Sequence, residues 1–167
     1  GFDSSLFSIE KTDFDCGKVH VLMGRNGIGK SAFLHTLSGL IQAQGGTFDC
    51  DGKALGQYSS KELSKKMAYV SSSPVGVPFL TVDAFLMLGR YRFTNVFGQA
   101  NTSDLSLVEE AKDLFGIEHL ADKFTNELSS GELHLCAIAK AYVQQTDYIL
   151  LDEPTSHLDY ANKRKVY

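Results

Sequence analysis

The chain has 167 residues, of which 43% are hydrophobic and 22% are charged, and its formal net charge is −4 at pH 7. These fractions are typical of a folded globular protein and exclude an intrinsically disordered chain. The acidic balance gives no electrostatic support for binding nucleic acid, so no nucleic-acid partner is expected. No apolar run approaches the ~20 residues that a membrane-spanning helix needs. Any link to a membrane would therefore run through a partner protein.

The alternation of predicted strands and helices along the chain indicates an α/β fold with a parallel sheet. Short apolar runs predict strands over residues 6–10, 18–23, 67–70 and 148–151. An Asp-Gly pair predicts a hairpin that turns near Asp51 and Gly52. Helical spacing of apolar residues predicts helices after residue 30, over 60–66, near 81–89, near 104–115 and after Leu128. The run of helices between 73 and about 143 indicates a helical insertion into the sheet domain.

A glycine-rich motif of the form G-x-x-x-x-G-K-S occupies residues 24–31, between a predicted strand and a predicted helix. In this position Gly27 and Gly29 permit a tight turn, and backbone N–H groups at the helix N-terminus attract phosphate. We expect Lys30 to reach the β- and γ-phosphates of a nucleotide, and the Ser31 hydroxyl to bind Mg²⁺. The predicted nucleotide-binding residues form one segment: Gly24, Arg25, Asn26, Gly27, Ile28, Gly29, Lys30, Ser31 and Ala32.

Two acidic residues, Asp152 and Glu153, follow the last predicted strand. The carboxyl end of such a strand is where an α/β sheet places its ligand chemistry. We therefore expect Asp152 to order Mg²⁺, directly or through water. Glu153 is the candidate general base, or the residue that orients the attacking water.

A capping box of the form S-x-x-E opens the helix that follows Leu128, with Ser129 at the N-cap and Glu132 three residues later. This pattern predicts a structural role. A capped helix N-terminus beside a glycine such as Gly131 is also an anion site, so a role in phosphate binding stays open.

Taken together, the phosphate loop, residues 128–132 and residues 148–159 resemble the nucleotide-binding domain of ABC-type ATPases. Residues 128–132 resemble the family's L-S-G-G-Q signature, and residues 148–159 resemble the Walker B strand with the D-loop. The resemblance runs essentially from end to end. It implies a P-loop NTPase with a RecA-like core on a parallel sheet, an antiparallel β-subdomain and an inserted helical subdomain.

The resemblance also implies a domain organisation. Residues 1–72 and 144–167 would form the nucleotide-binding α/β core with its β-subdomain. Residues 73–143 would form the helical subdomain that carries the signature motif.

The family further implies a shared mechanism, in which two such domains pair head to tail and bind ATP with Mg²⁺ between them. Ser129 and Gly131 would contact the γ-phosphate held by the other copy. Phe2 takes the place of the family's adenine-stacking aromatic residue, although a core role for Phe2 is equally compatible with the sequence. Hydrolysis would move a membrane permease, which implies a cytoplasmic protein held peripherally at the inner face of the cell membrane.

Three positions depart from the family pattern. Ser72 stands where the family has a glutamine that senses Mg²⁺ and the attacking water, and serine is too short to reach as glutamine does. A water bridge is the alternative to direct coordination. In the signature, Ser130 replaces the second glycine and Glu132 replaces the glutamine. A carboxylate near the γ-phosphate would be repulsive unless it turns back to the Ser129 amide, as a capping box provides.

The family's switch histidine lies beyond the D-loop, and His157 lies within the D-loop and does not match it. We therefore expect the chain to be a fragment of a longer ATPase domain, with weak nucleotide binding and poor hydrolysis.

Residues 80–91 resemble a run in importers for iron-siderophore, haem and cobalamin compounds, and this helix would face the permease. A generic amphipathic helix is the alternative, and Thr81 is the N-cap in either case. The favoured function is the ATPase subunit of such an importer. The alternatives are a soluble ABC ATPase of translation or DNA repair, or a fragment that only binds nucleotide.

Overall fold

The structure, a computed structural model, describes residues 8–93 and 101–156. The chain divides into two compact units, Gly1–Leu63 and Ser64–Tyr167. The α-helices within the described ranges are α1 (Lys30–Leu37), α2 (Ser60–Lys66), α3 (Val82–Met87), α4 (Thr102–Phe115) and α5 (Ser130–Val143). The strands there are β1 (Asp49–Cys50), β2 (Lys53–Ala54), β3 (Met67–Val70) and β4 (Tyr148–Leu151). Short 3₁₀ turns cover Leu55–Gln57, Leu88–Phe93, Glu118–Leu120 and Thr125–Glu127.

In the first unit, β1 and β2 form an antiparallel hairpin in which Cys50 pairs with Lys53. The two residues between them, Asp51 and Gly52, both have positive φ, at 52° and 76°. Two left-handed residues in a two-residue loop make a type I′ turn, whose twist matches that of the strands it joins. The predicted hairpin is confirmed.

The predicted strand over residues 18–23 is wrong, because this segment has no regular secondary structure. Val19 and Met23 are 92% and 85% exposed, respectively. An extended apolar run becomes a strand only when another strand accepts and donates its backbone hydrogen bonds. No strand pairs with this segment among the described residues. The described part of the predicted strand over 6–10 is likewise irregular.

Aromatic side chains provide the apolar packing around α1 in the first unit. Phe33 is buried, and its ring centroid lies 6.4 Å from that of Phe14 and 6.2 Å from that of Phe48. Leu40 and Ile41 lie beyond the end of the helix and are exposed.

In the second unit, β3 and β4 pair in parallel, as predicted, with Val70 opposite Leu151. The ladder continues one residue further, since the Asp152 amide donates to the Val70 carbonyl at 3.0 Å. Ala68 and Val70 point into the core, which leaves Tyr69 on the opposite face of the strand. The carboxyl ends of both strands therefore meet at one edge.

The core of the second unit lies among α3, α4, α5 and β3. It is built from apolar side chains of these elements and of the segment that follows α4, and the largest fully buried ones include Val82, Leu86, Ile117, Leu120 and Val143. Helix α4 begins at a capping box and ends at Gly116 in the left-handed conformation. No helix in the described ranges is long and apolar enough to cross a membrane. The subdomain boundaries inferred from the sequence stay a prediction.

Candidate functional site

The phosphate loop runs directly into α1 and is shaped by two left-handed glycines. Gly27 has a φ of 78°, and Gly29, the residue before the helix, has a φ of 108°. A side chain with Cβ is strained at either position, which explains why the motif needs glycine there. The Gly29 carbonyl accepts the first helical hydrogen bond, from the Phe33 amide at 2.9 Å. The first turn of α1 contains no acidic residue, so nothing in that turn opposes an anion.

Lys30 folds back over the loop that precedes it. Its Nζ donates to the Gly24 carbonyl at 2.9 Å and to the Arg25 carbonyl at 3.1 Å. Residues 24–28 are exposed and residues 29–32 are half-buried, so every predicted loop residue is near solvent. Phosphate oxygens are stronger acceptors for an ammonium group than neutral carbonyls are. The lysine is thus held where an entering phosphate could replace the carbonyls.

The two acids after β4 have different surroundings. Asp152 is buried, with 3% exposure, and its Oδ2 accepts a hydrogen bond from the Tyr69 hydroxyl at 3.3 Å. Glu153 is exposed and has a φ of 47°, which is unusual for a residue other than glycine. Its carbonyl accepts hydrogen bonds from the amide and the hydroxyl of Ser156, at 3.1 and 3.0 Å. One carboxylate is held in place, and the other is presented to solvent.

Ser72 lies two residues beyond β3 and is half-buried. Since β3 and β4 are parallel, Ser72, Asp152 and Glu153 all follow strand ends at the same edge of the pair. The structure brings these three predicted residues together in one unit. Their catalytic roles stay predictions.

Tyr69 is a residue of this edge that the sequence interpretation missed. Burial, followed by the charge of Asp152, raises the pKa of Tyr69 to about 12. The phenol therefore keeps its proton at neutral pH and donates to the carboxylate. A tyrosine one residue before the end of a strand is a weak signal, because its target depends on the register with another strand.

Helix α5 begins at the predicted capping box. Ser129 Oγ accepts from the Glu132 amide at 3.3 Å, and Glu132 Oε2 accepts from the Ser129 amide and hydroxyl at 2.8 and 2.7 Å. These hydrogen bonds from Ser129, side chain first, lower the pKa of Glu132. The prediction that the carboxylate turns back to Ser129 is confirmed. Ser129 is exposed and Gly131, in the first turn, is half-buried.

Of the remaining predicted residues, two lie outside the described ranges and two are candidate ligands of Mg²⁺. Phe2 and His157 lie outside the described residues. Ser31 and Asp152 present hydroxyl and carboxylate oxygens, the hard donors that Mg²⁺ prefers, so their chemistry fits this ion. The two residues belong to different units of the chain.

Residues 10–156 match the sequence profile of the family described as ABC transporter. The chain belongs to the ABC transporter family. An uncharacterized ABC transporter ATP-binding protein of Haemophilus influenzae is 40% identical over 161 residues, which cover 96% of this chain and 59% of that protein. The iron(3+)-hydroxamate import ATP-binding protein FhuC of Bacillus subtilis is 34% identical over 90% of this chain and 56% of that protein. The chain thus spans between half and two thirds of the length of these relatives.

Solved structures agree with this assignment. A transporter described as of the metal-chelate type, in an inward-facing conformation, is 30% identical with a TM-score of 0.74, over 99% of this ABC transporter chain and 62% of its own. The ATP-binding cassette MJ0796, as a dimer bound to ADP and Pi, is 24% identical with a TM-score of 0.72, over 83% of this chain and 61% of its own. The fold is the α/β P-loop NTPase fold of ABC ATPase cassettes, as predicted.

Proposed function

We propose that this ABC transporter family member is the ATP-binding subunit of an importer for a metal chelate, such as an iron-siderophore, haem or cobalamin compound. Hydrolysis of ATP drives the import. The observation that carries the proposal is the phosphate loop, where Gly27 and Gly29 are left-handed and Lys30 lies over the loop at the start of α1. Support for the substrate class comes from FhuC, which is named for iron(3+)-hydroxamate import, and from the metal-chelate type of the structural relative.

In this proposal each half of the site has a distinct task. Lys30 and the backbone N–H groups of the loop bind the phosphates of ATP, and Ser31 and Asp152 hold Mg²⁺. Mg²⁺ held by these residues would neutralise charge that develops on the phosphate oxygens. Glu153 accepts a proton from the attacking water or orients it, and Ser72 contacts that water or the ion through a bridging water. The exposure of Glu153 and the burial of Asp152 suit these two tasks.

The proposed partners are a second copy of the domain and a membrane permease. Ser129 and Gly131 at the start of α5 would complete the γ-phosphate site of the second copy. The second unit exposes large apolar and aromatic side chains. In the segment before α3, for example, Val75 is 82% exposed and Phe79 is 84% exposed. Where such side chains form a contiguous patch, they are typical of a surface that contacts another protein. The subunit would then sit at the cytoplasmic face of the cell membrane through its permease.

Nucleotide binding tests the first part of the proposal. The protein should bind a fluorescent ATP analogue with Mg²⁺, and Lys30→Ala should weaken that binding by at least about 10-fold, since it removes a charge-assisted contact to phosphate. Lys11→Ala is the matched control, because this lysine is 81% exposed and pairs only with exposed Asp13 among the ion pairs of the described residues. Binding that Lys30→Ala leaves unchanged would contradict the assignment of the loop.

Co-purification tests the second part. A hydrophobic membrane subunit that co-purifies with the protein would support the importer. Co-sedimentation with ribosomes or DNA in place of that subunit would favour a soluble ABC ATPase.

A further inference from the structure

The Asp152 carboxylate is held by a side chain from the neighbouring strand. Its Oδ2 lies 3.3 Å from the Tyr69 hydroxyl, and Asp152 is 3% exposed. Within the described part of the chain, Oδ1 receives no hydrogen bond. One carboxylate oxygen is therefore occupied by a phenol, and the other remains able to bind a cation.

The strand register explains how Tyr69 reaches this carboxylate. Tyr69 lies opposite Leu150 in the parallel β3–β4 pair, and its side chain extends along the strand toward Asp152. The next residue of β3, Val70, accepts the Asp152 amide at 3.0 Å. Two consecutive residues of β3 thus bind the backbone and the side chain of Asp152, which limits its rotation.

A second hydroxyl supports the phenol. Hydrogen bonding from the Ser71 side chain acts to lower the pKa of Tyr69, against the larger effects of burial and of Asp152, which raise it. Ser71 Oγ also accepts the Ser73 amide at 3.2 Å. The hydrogen bonds run from the loop after β3 through Ser71 and Tyr69 to Asp152, and they bracket Ser72 on both sides.

We propose that Tyr69, supported by Ser71, is a positioning residue for the magnesium-binding carboxylate of Asp152. The phenol donates to Oδ2 and directs Oδ1 toward Mg²⁺. Hydrogen bonds of this kind orient a metal ligand, and their loss commonly weakens metal binding by about 10- to 100-fold. This inference rests on the proposed function, since it assumes that the protein binds ATP with Mg²⁺.

The simpler alternative is that Tyr69 only satisfies a buried carboxylate and stabilises the fold. The two possibilities differ in one measurable quantity, the dependence of nucleotide affinity on Mg²⁺. A residue with a structural role alone changes affinity equally with and without the ion. A positioning residue for a magnesium ligand changes the affinity measured with Mg²⁺ and leaves the affinity measured in EDTA unchanged.

The experiment compares the wild-type chain with Tyr69→Phe by titration of a fluorescent ATP analogue, in Mg²⁺ and in EDTA. We expect Tyr69→Phe to lose about 10-fold in affinity in Mg²⁺ and less than about 2-fold in EDTA. Tyr142→Phe is the matched control, because it removes a tyrosine hydroxyl that donates to another carboxylate of the same unit, Glu110. The control should match the wild type under both conditions.

Ser71 provides a second, milder test in case Tyr69→Phe disturbs the fold. Ser71→Ala should weaken Mg²⁺-dependent affinity in the same direction by about 2- to 5-fold, and Ser71→Thr, which keeps the hydroxyl, should retain it. If the wild type binds nucleotide more tightly with Mg²⁺ and both Tyr69→Phe and Ser71→Ala bind equally well, this inference is overturned. The proposed function would stand in that case. Wild-type protein that binds no nucleotide would overturn the proposed function and this inference with it.

Discussion

At the scale of single residues, the candidate site combines strained and relaxed backbone. Gly27 and Gly29 adopt positive φ without cost, whereas Glu153 adopts a φ of 47° with a Cβ present. Left-handed conformations at residues other than glycine cost about 1–2 kcal/mol and concentrate at functional sites. The conformation of Glu153 therefore agrees with its proposed role at the γ-phosphate.

Glu153→Gln tests that role directly. Because glutamine cannot accept a proton, we expect ATP turnover to fall by about 100-fold or more while ATP affinity stays within about 2-fold. Steady-state hydrolysis and nucleotide titration measure the two quantities. The exposed Glu118→Gln serves as the control and should turn over like the wild type. Wild-type turnover in Glu153→Gln would rule out the general-base assignment.

We expect the contribution of Glu132 to the stability of the fold to depend on pH. Its pKa is lowered from 4.5 by the Ser129 hydrogen bonds, so the unfolded chain binds protons more readily than the folded one. The resulting stabilisation is fully present above the unfolded pKa and is lost as the pH falls through the lower folded pKa.

Glu132→Gln should therefore destabilise the protein by roughly 0.5 kcal/mol at neutral pH and by less as the pH falls from about 5 to 3. Denaturant unfolding at several pH values measures this, again with Glu118→Gln as control. A difference between Glu132→Gln and the wild type that stays constant over this range would contradict the prediction. We expect ATP turnover to be intact or improved in Glu132→Gln, and a severe loss would show that Glu132 is more than a cap.

At the scale of secondary-structure elements, the sequence predicted best where neighbouring residues decide the structure. The Asp51-Gly52 turn, the cap at Thr81 and the capping box at Ser129 all form as predicted. Each depends on a side chain or a φ angle within about three residues of its hydrogen-bond partner. The predicted bounds of the helices near these signals agree with the structure to within a few residues.

Gly52→Ala tests the hairpin. A Cβ at a φ of 76° is strained even though no atom lies within 4 Å of it, so we expect a loss of about 1 kcal/mol in the free energy of unfolding. Gly56→Ala is the matched control, because that position is equally open and has no positive φ. Equal stability of the two variants in urea or thermal unfolding would contradict the proposed turn strain.

In the segment 80–91, packing against neighbouring elements explains the residue types at positions 89 and 90. A Cβ on Gly89 would lie 2.8 Å from the Lys140 carbonyl oxygen of α5, so glycine permits this close approach. Arg90 is buried, and the adjacent Tyr91 is 77% exposed. Gly89 and Arg90, which both lie in the run that resembles the importers, thus have structural roles in this unit.

At the scale of the whole molecule, contacts between distant segments hold the second unit together. Arg90 Nε lies 2.7 Å from Asp104 Oδ1, and an Arg90 guanidinium nitrogen donates to the Val143 carbonyl at 3.0 Å. These bonds join the 3₁₀ turn after α3 to the start of α4 and the end of α5. Asp104 is fully buried, so its charge depends on this partner.

Arg90→Met should destabilise the protein by about 3 kcal/mol, because it leaves a buried carboxylate without its cation. Adding Asp104→Asn should recover part of that loss by removing the unpaired charge while keeping an amide at the helix start. Chemical unfolding measures both variants, with the exposed Lys11→Ala expected within about 0.5 kcal/mol of the wild type. A loss below about 1 kcal/mol for Arg90→Met would contradict the importance of this pair.

The sequence by itself determined the phosphate loop, the capping box at Ser129, the hairpin turn and the two parallel strands of the second unit, because these depend on local backbone preferences and short apolar runs. Only the tertiary structure decided which extended segments become strands, as residues 18–23 illustrate. It also decided that Tyr69 meets Asp152, 83 positions away in the chain. The physical reason is that strand pairing and register are set by contacts between distant segments, which no local pattern specifies.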